Sequence, residues 1–264
     1  MGKIKITARI ILLAITTAFL LTVQGCTMSE ATGDMLPPID AEQTVNTDTG
    51  QYISLNANEH SPLEPTLTTI QPGDIDIIYC EKEIRDKTYI IYLGKDGGVY
   101  GAYRDGDYYI DFLTISPAEF EYAYTNSDPF EILEYTNVLN TDGFIIKFIA
   151  GAKSVPINYY YWDETGTLKL LAQGDIANYE YDFDGDGTKE LLFIYGNDSL
   201  RFYKITNNEL TESTLPENIG DYYRDMYISF DEEKSVFEIK HHDEQGNARD
   251  VSAKYDYGRL LFIP

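Results

Sequence analysis

Residues 88–112 read TYIIYLGKDGGVYGAYRDGDYYIDF, and this stretch decides the fold class. Three runs rich in tyrosine and aliphatic residues alternate with two short segments that contain glycine and aspartate. Aromatic and β-branched side chains favour strands, and Asp-Gly between such runs is a strong hairpin signal. The stretch therefore predicts three antiparallel strands joined by tight turns.

The same pattern recurs further along the chain, in units that include the runs beginning at Gly143, Glu190 and Val236. The four units start roughly 45–55 residues apart, near the period of propeller blades. The sequence therefore predicts an all-β protein of repeated antiparallel meanders, either propeller-like or arranged as a curved or two-layer sheet. Residues 113–140 are less regular, and Ser116 before Pro117 indicates a short helix over residues 117–123.

The N-terminus has the layout of an export signal. Residues 1–25 carry Lys3, Lys5 and Arg9, followed by an apolar run over residues 10–23 that is short for a membrane span. The next residues, Val23-Gln-Gly-Cys26, resemble the bacterial lipobox. This resemblance implies cleavage before Cys26, a thioether-linked lipid on its sulfur, and a membrane anchor on the extracytoplasmic face.

Composition divides the rest of the chain in two. Residues 26–70 are rich in Thr, Asp, Glu, Asn and Pro and poor in apolar residues, which predicts a flexible acidic tether, with a short strand possible over residues 51–55. Residues 71–264 form the predicted β-repeat domain. Apart from Cys26, Cys80 is the one cysteine, so we expect no disulfide and a small buried side chain at Cys80.

The chain is strongly acidic, with a formal net charge of −24, and loss of residues 1–25 would remove only positive charges. Such a chain repels phosphate backbones, which argues against a nucleic-acid partner. Divalent cations or cationic partners suit it better, although the charge also serves solubility.

The sharpest motif is the loop DFDGDGTKE over residues 182–190. Calcium takes six to eight oxygen ligands, which a loop of alternating carboxylates gathers around one point. The candidate metal ligands are the side chains of Asp182, Asp184, Asp186 and Glu190 and the backbone carbonyl of Thr188. Calcium is the expected cofactor, and an acidic turn without an ion is the alternative.

The loop begins like an EF-hand but has Phe193 at the twelfth position, and an aliphatic run follows it where an EF-hand has a helix. Residues 181–203 resemble instead the FG-GAP/VCBS repeat of integrin-like β-propellers, in which a similar acidic loop runs directly into a strand. The resemblance implies a calcium-binding loop within a β-repeat domain, and it covers one repeat.

No motif of a nucleophile, a zinc protease or a phosphate-binding loop is present, and no catalytic residue is predicted. His241-His242 is expected in an exposed turn, with metal binding as the alternative. Along residues 159–162 four aromatic residues alternate between two faces of one strand, so Tyr160 and Trp162 are candidate ligand-binding residues if exposed. Packing between sheet layers is the favoured alternative for both rings.

These features predict a non-catalytic, calcium-stabilised lipoprotein that binds an extracellular glycan or protein. Two alternatives stay open at this stage, namely an extracytoplasmic polysaccharide hydrolase and an accessory or sensory subunit of an envelope complex.

Overall fold

The computed structural model describes residues 52–116, 129–148, 155–175, 177–195, 199–207, 209–216, 223–243 and 245–263. Cys26, the export signal and most of the expected tether lie outside these residues. The helix expected over residues 117–123 lies outside them as well.

The described residues are all-β, as the sequence predicts, with one 3-10 turn at Pro72–Asp74. The strands, in chain order, are β1 (Tyr52–Ser54), β2 (Asn56–Glu59), β3 (Thr68–Ile70), β4 (Ile75–Ile84), β5 (Lys87–Gly94), β6 (Val99–Asp105), β7 (Tyr108–Ile115), β8 (Phe130–Val138), β9 (Thr141–Phe148), β10 (Ile157–Trp162), β11 (Leu168–Gly174), β12 (Ala177–Tyr181), β13 (Glu190–Tyr195), β14 (Ser199–Thr206), β15 (Glu209–Thr214), β16 (Arg224–Asp231), β17 (Val236–His242), β18 (Ala248–Asp256) and β19 (Arg259–Ile263).

Four antiparallel meanders of four strands each make up the domain, and each meander is the body of one sheet. Sheet 1 has the order β3-β7-β6-β5-β4, sheet 2 the order β11-β10-β9-β8, sheet 3 the order β12-β13-β14-β15-β2, and sheet 4 the order β1-β19-β18-β17-β16. The meanders begin at residues 75, 130, 177 and 224. The repeat expected from the sequence is therefore confirmed, and β8 occupies part of the region that looked irregular.

Neighbouring sheets pack face to face, and a separate apolar core fills each interval. Tyr89 and Phe144 belong to the core between sheets 1 and 2, Tyr159 and Phe193 to the core between sheets 2 and 3, and Phe202 with many others to the core between sheets 3 and 4. Alternate residues of an inner strand therefore face different cores, as in β13, where Phe193 and Ile194 point to opposite sides. A strand that is buried on both faces must read as a continuous apolar run, which is what β13 does.

Residues 52–70 form a strap, which we call the N-terminal strap, along the last strand of every meander. Within it β1 pairs with β19, β2 pairs with β15, and β3 pairs with β7. Between β2 and β3, Leu63 forms a bridge with Leu170 of β11. The strap thus reaches sheets 4, 3, 2 and 1 in turn.

The expected boundary between tether and domain, at residues 70 and 71, is therefore too late in the chain. Residues 52–70 belong to the folded domain. The composition of the strap misled the prediction because the strap contributes mainly backbone hydrogen bonds. An exposed last strand offers a row of unpaired N–H and C=O groups, and a polar segment satisfies these groups as well as an apolar one. Few of its side chains are buried, with Ile53 the exception.

Candidate metal centre

The acidic loop is the connection between β12 and β13, and it closes a hairpin in which Tyr181 pairs with Glu190. The carboxylate of Asp182 accepts hydrogen bonds from the backbone N–H groups of Gly185 (2.7 Å), Asp186 (3.1 Å) and Gly187 (3.0 Å). Gly185 and Gly187 have φ values of 75° and 91°, which side-chain-bearing residues rarely adopt. The loop therefore winds around Asp182, and its glycines are needed for the winding.

Three of the predicted ligands come together. One ligand oxygen from each of Asp182, Asp184 and Glu190 lies within 4.8 Å of the others. Glu190 is only 1% exposed, and one of its oxygens accepts a hydrogen bond from the backbone N–H of Phe183 at 2.8 Å. Burial raises the pKa of Glu190 to about 7, and the nearby charge of Asp184 adds to this effect. Like-charged carboxylates gathered in this way favour a cation among them.

Phe183 fixes the loop to the core. Its ring packs against Phe202, Phe230 and Phe237 in the core between sheets 3 and 4. The backbone N–H of the same residue donates to Glu190, so one residue contacts both the acidic cluster and the core.

Lys204 is a member of the site that the sequence did not indicate. Its ammonium group pairs with the carboxylate of Asp184. Because Leu191 pairs with Tyr203 across β13 and β14, Lys204 lies at the level of Glu190. Burial lowers the pKa of Lys204, but the hydrogen bond and charge of Asp184 and other nearby acidic groups raise it more, so its net shift is upward.

The side chains of Asp186 and Thr188 make hydrogen bonds apart from the cluster, and the predicted ligand atom of Thr188, its backbone carbonyl, is not involved in them. One carboxylate oxygen of Asp186 accepts a hydrogen bond from the backbone N–H of Thr188 at 2.7 Å. The Thr188 hydroxyl donates to the side-chain oxygen of Asn140 at 3.2 Å. The structure therefore places Asp186 outside the three-carboxylate cluster and ties the Thr188 side chain to the neighbouring sheet.

The turn between β8 and β9 holds the loop from the side of sheet 2. Leu139 donates its backbone N–H to the carbonyl of Lys189 at 2.8 Å, and the Asn137 amide donates to the carbonyl of Gly187 at 3.3 Å. Asn137 and Asn140 have φ values of 54° and 57°. Asparagine tolerates this conformation, so the sequence signals a turn here but not the loop that the turn contacts.

The arrangement can hold a metal ion. It offers carboxylate oxygens, one of them buried, at the entrance to an inner strand. Hard cations such as Ca²⁺ and Mg²⁺ prefer oxygen ligands, and soft metals that need Cys or His find neither in this cluster. Within the described part of the chain, this is the one group of acidic, His or Cys side chains close enough to share an ion.

The aromatic candidates for ligand binding are mainly core residues. Tyr160 is 2% exposed and Trp162 is half-buried, and both contribute to the core between sheets 1 and 2. The Trp162 indole N–H donates to the hydroxyl of Tyr89 at 2.9 Å, and the Lys87 ammonium lies 4.6 Å from the indole ring centroid. An exposed stacking pair is therefore the wrong description of these rings, and packing between layers, the favoured alternative, is the right one.

The remaining reactive side chains form no site within the described residues. His241 and His242 are the last residues of β17, and Nδ1 of His242 lies 3.5 Å from a carboxylate oxygen of Asp225. His60 lies in the strap and contacts the carbonyl of Leu171 at 3.1 Å. Cys80 is half-buried against the core between sheets 1 and 2.

No family model matches the chain, and no curated protein matches it. In the described ranges, the structure has no helix that is long and apolar enough to cross a membrane.

Proposed function

We propose that the protein is a lipid-anchored, calcium-stabilised and non-catalytic binding protein, which presents its β domain to an extracellular glycan or protein. The observation that carries the calcium part of the proposal is the cluster of Asp182, Asp184 and Glu190 at the start of β13. The similarity of residues 181–203 to an FG-GAP/VCBS repeat supports calcium binding independently of the structure.

Calcium is the favoured ion because of the ligand chemistry. The cluster offers side-chain oxygens from a glycine-rich loop, and calcium accepts flexible, irregular oxygen shells, whereas magnesium demands near-ideal octahedral geometry. Asp182, Asp184 and Glu190 are the residues that would hold the ion, and Lys204 would give up Asp184 to it. The bound ion would supply positive charge to a buried carboxylate.

A structural role for the ion follows from what surrounds the cluster. Both oxygens of Asp182 already accept backbone hydrogen bonds, and Glu190 is buried. An ion held there would fix the entry of β13 into sheet 3. A catalytic ion needs an open coordination position that faces a substrate.

The calcium proposal is tested by thermal unfolding. Extracellular calcium modules have dissociation constants of about 10⁻⁴–10⁻³ M, so ~1 mM calcium should stabilise the protein by about 0.4–1.4 kcal/mol relative to chelator. Asp184→Ala should remove that difference. Asp163→Ala is the matched control, since Asp163 organises the turn between β10 and β11 through the N–H groups of Thr165 and Thr167 and joins no cluster.

Equal melting of the wild-type protein in calcium and in chelator would refute the calcium site. A calcium effect that survives Asp184→Ala would place the ion elsewhere. Magnesium at the same concentration should give the smaller shift.

The anchor is tested separately. We expect the mature protein to fractionate with membranes and to incorporate labelled fatty acid, and Cys26→Ala to abolish the label and block maturation. Equal labelling of the variant would refute lipidation at Cys26, and it would leave the calcium proposal untouched.

A further inference from the structure

A cleft of about 550 Å³ opens on the face of sheet 1 that is turned away from sheet 2. This volume lies within the range of small-molecule sites. Strands β5, β6 and β7 supply its floor, and the N-terminal strap supplies one wall through Thr66, Thr68 and Ile70. The cleft is distant in sequence from the acidic loop, and it shares none of that loop's residues.

Two tyrosines hold two carboxylates in the cleft. The hydroxyl of Tyr92 donates to Asp111, with distances of 2.8 Å and 3.0 Å to its two oxygens. The hydroxyl of Tyr100 donates to Asp96 at 2.7 Å. Tyr92 and Tyr100 are cross-strand partners whose ring centroids lie 5.5 Å apart. The carboxylates are therefore held in fixed positions by donors from rigid strands.

The glycines of the β5–β6 turn make this arrangement fit. A Cβ atom at Gly94 would lie 2.6 Å from a carboxylate oxygen of Asp96 and 3.1 Å from the Tyr100 ring. A Cβ atom at Gly98 would clash with the Tyr100 hydroxyl. The glycines thus do more than allow the chain to reverse, because they also leave room for the Tyr100 ring and the Asp96 carboxylate.

The charge of the cleft is unbalanced. Asp74, Asp96 and Asp111 are among its lining residues, and Lys95 is the one basic residue among them. None of the three carboxylates forms an ion pair with a described residue. Asp111 is half-buried, and burial followed by the charge of Asp96 raises its pKa to about 6 although the Tyr92 hydrogen bond lowers it. Neutral donors therefore compensate only part of the cost of placing Asp111 there.

We infer that this cleft is a binding site for a small cationic ligand that carries a primary amine. The ammonium group would pair with Asp111 and Asp96. Besides the tyrosine hydroxyls, Asp96 also accepts the backbone N–H of Gly98 at 3.0 Å, and both carboxylates retain further acceptor capacity. The hydroxyls of Thr66, Thr68 and Thr114 and the apolar surface of Ile70 would contact the body of the ligand. The inference names a ligand class for the binding role proposed above, and it depends on neither calcium nor lipidation.

The test uses two matched pairs of probes. Glucosamine is compared with N-acetylglucosamine, and benzylamine with benzyl alcohol, by calorimetric titration at pH 7.5 and low ionic strength. We expect both amines to bind and both neutral analogues to fail. Asp111→Asn should weaken amine binding by about tenfold or more, as the loss of a charge-assisted hydrogen bond predicts. Asp107→Asn, in the exposed turn after β6, makes the same charge change outside the cleft and should have little effect.

A second variant, which should bind amines more tightly, excludes loss of folding as the cause of the change in binding. Lys95 is exposed and lines the cleft, so Lys95→Gln should remove a repulsive charge and strengthen amine binding several-fold. Unfolding cannot produce this result. Both responses should shrink as salt is added, because the charges are screened.

Three outcomes would overturn the inference. These are equal binding of amines and neutral analogues, no binding of any probe, and amine binding that Lys95→Gln and Asp111→Asn leave unchanged. A further outcome would assign the cleft to a metal ion instead. In that outcome the Asp184→Ala variant, first treated with chelator, still takes up calcium, and adding Asp111→Asn to it abolishes the uptake. If the amines bind while calcium leaves melting unchanged, the cleft stands and the calcium proposal falls.

Discussion

The acidic loop of sheet 3 and the acidic cleft of sheet 1 both gather several carboxylates, but different groups stabilise these carboxylates in the two places. The loop pairs one of its three carboxylates, that of Asp184, with the Lys204 ammonium, and it buries Glu190 against the core between sheets 3 and 4. The cleft uses the hydroxyls of Tyr92 and Tyr100 and leaves its carboxylates accessible. We therefore expect the position relative to the core to separate a structural cluster from a binding cluster. Removing one charged group should therefore lower the free energy of unfolding at the loop and weaken ligand binding at the cleft.

The largest expected effect is at Glu190. Glu190→Ala removes the acceptor of the Phe183 N–H and leaves this donor without its partner, which should cost about 2–3 kcal/mol in urea unfolding at saturating calcium. Glu209→Ala is the matched control, because Glu209 is also the first residue of a strand in sheet 3 but is exposed. An equal loss of unfolding free energy in both variants would mean that the burial of Glu190 contributes nothing to stability beyond what an exposed glutamate contributes.

A smaller effect, a gain in calcium affinity, is expected when the charge of Lys204 is removed. Lys204→Met keeps the aliphatic stem but removes the ammonium that pairs with Asp184. Calcium should then bind several-fold more tightly, because it no longer competes with a built-in cation, while the melting temperature in chelator should fall. Lys234→Met, which breaks an exposed pair with Asp231, should change neither quantity much. Unchanged calcium affinity in Lys204→Met would show that the ammonium and the ion do not share Asp184.

The smallest effect concerns the pH dependence of the cleft. The pKa of Asp111 rises from its ordinary 3.8 to about 6 on folding, so the folded state binds the proton more tightly than the unfolded chain. The stability contributed by Asp111 is therefore full below about pH 4 and is lost as pH rises through about 6. For this half-buried carboxyl the loss is about 1 kcal/mol.

Asp111→Asn should abolish that loss, and Asp107→Asn should retain it. The measurement is urea unfolding in parallel at pH 4 and pH 7, with each variant compared with wild type at the same pH. An Asp111→Asn variant that loses as much stability between these pH values as wild type does would show that the cleft carboxylate is not desolvated.

Much of the fold was readable from the sequence because it depends on local patterns. Asp-Gly turns between tyrosine-rich runs predicted the hairpins of sheet 1, and the spacing of the runs predicted four meanders. Composition failed over residues 52–70, since a strap that supplies backbone hydrogen bonds needs no apolar side chains. The predicted units begin at residues 88, 143, 190 and 236, one strand after the observed meanders, so the first strand of each meander was missed. In β8 the polar residues do not alternate with apolar ones, so the run lacks the period-two pattern of a half-buried strand.

The candidate site was only partly predictable for a related reason. The order of acids in residues 182–190 identifies a loop that winds around Asp182, and this much is local. That Lys204 stands beside Asp184 depends on the register of β13 and β14, which residue types alone do not reveal. The cleft has no motif at all, since Asp96 and Asp111 become neighbours only through strand pairing.

The sequence by itself therefore determined the all-β class, the repetition of antiparallel meanders and the acidic loop, because strand propensity, turn chemistry and short-range spacing act over a few residues. Tertiary structure alone decided which face of each strand became core, and so buried Tyr160 and Glu190. It also brought Lys204 to the loop and the strap to four sheet edges. These outcomes depend on sheet stacking and pairing register, in which residues far apart in the chain compete for the same partners, and no local pattern encodes the result of that competition.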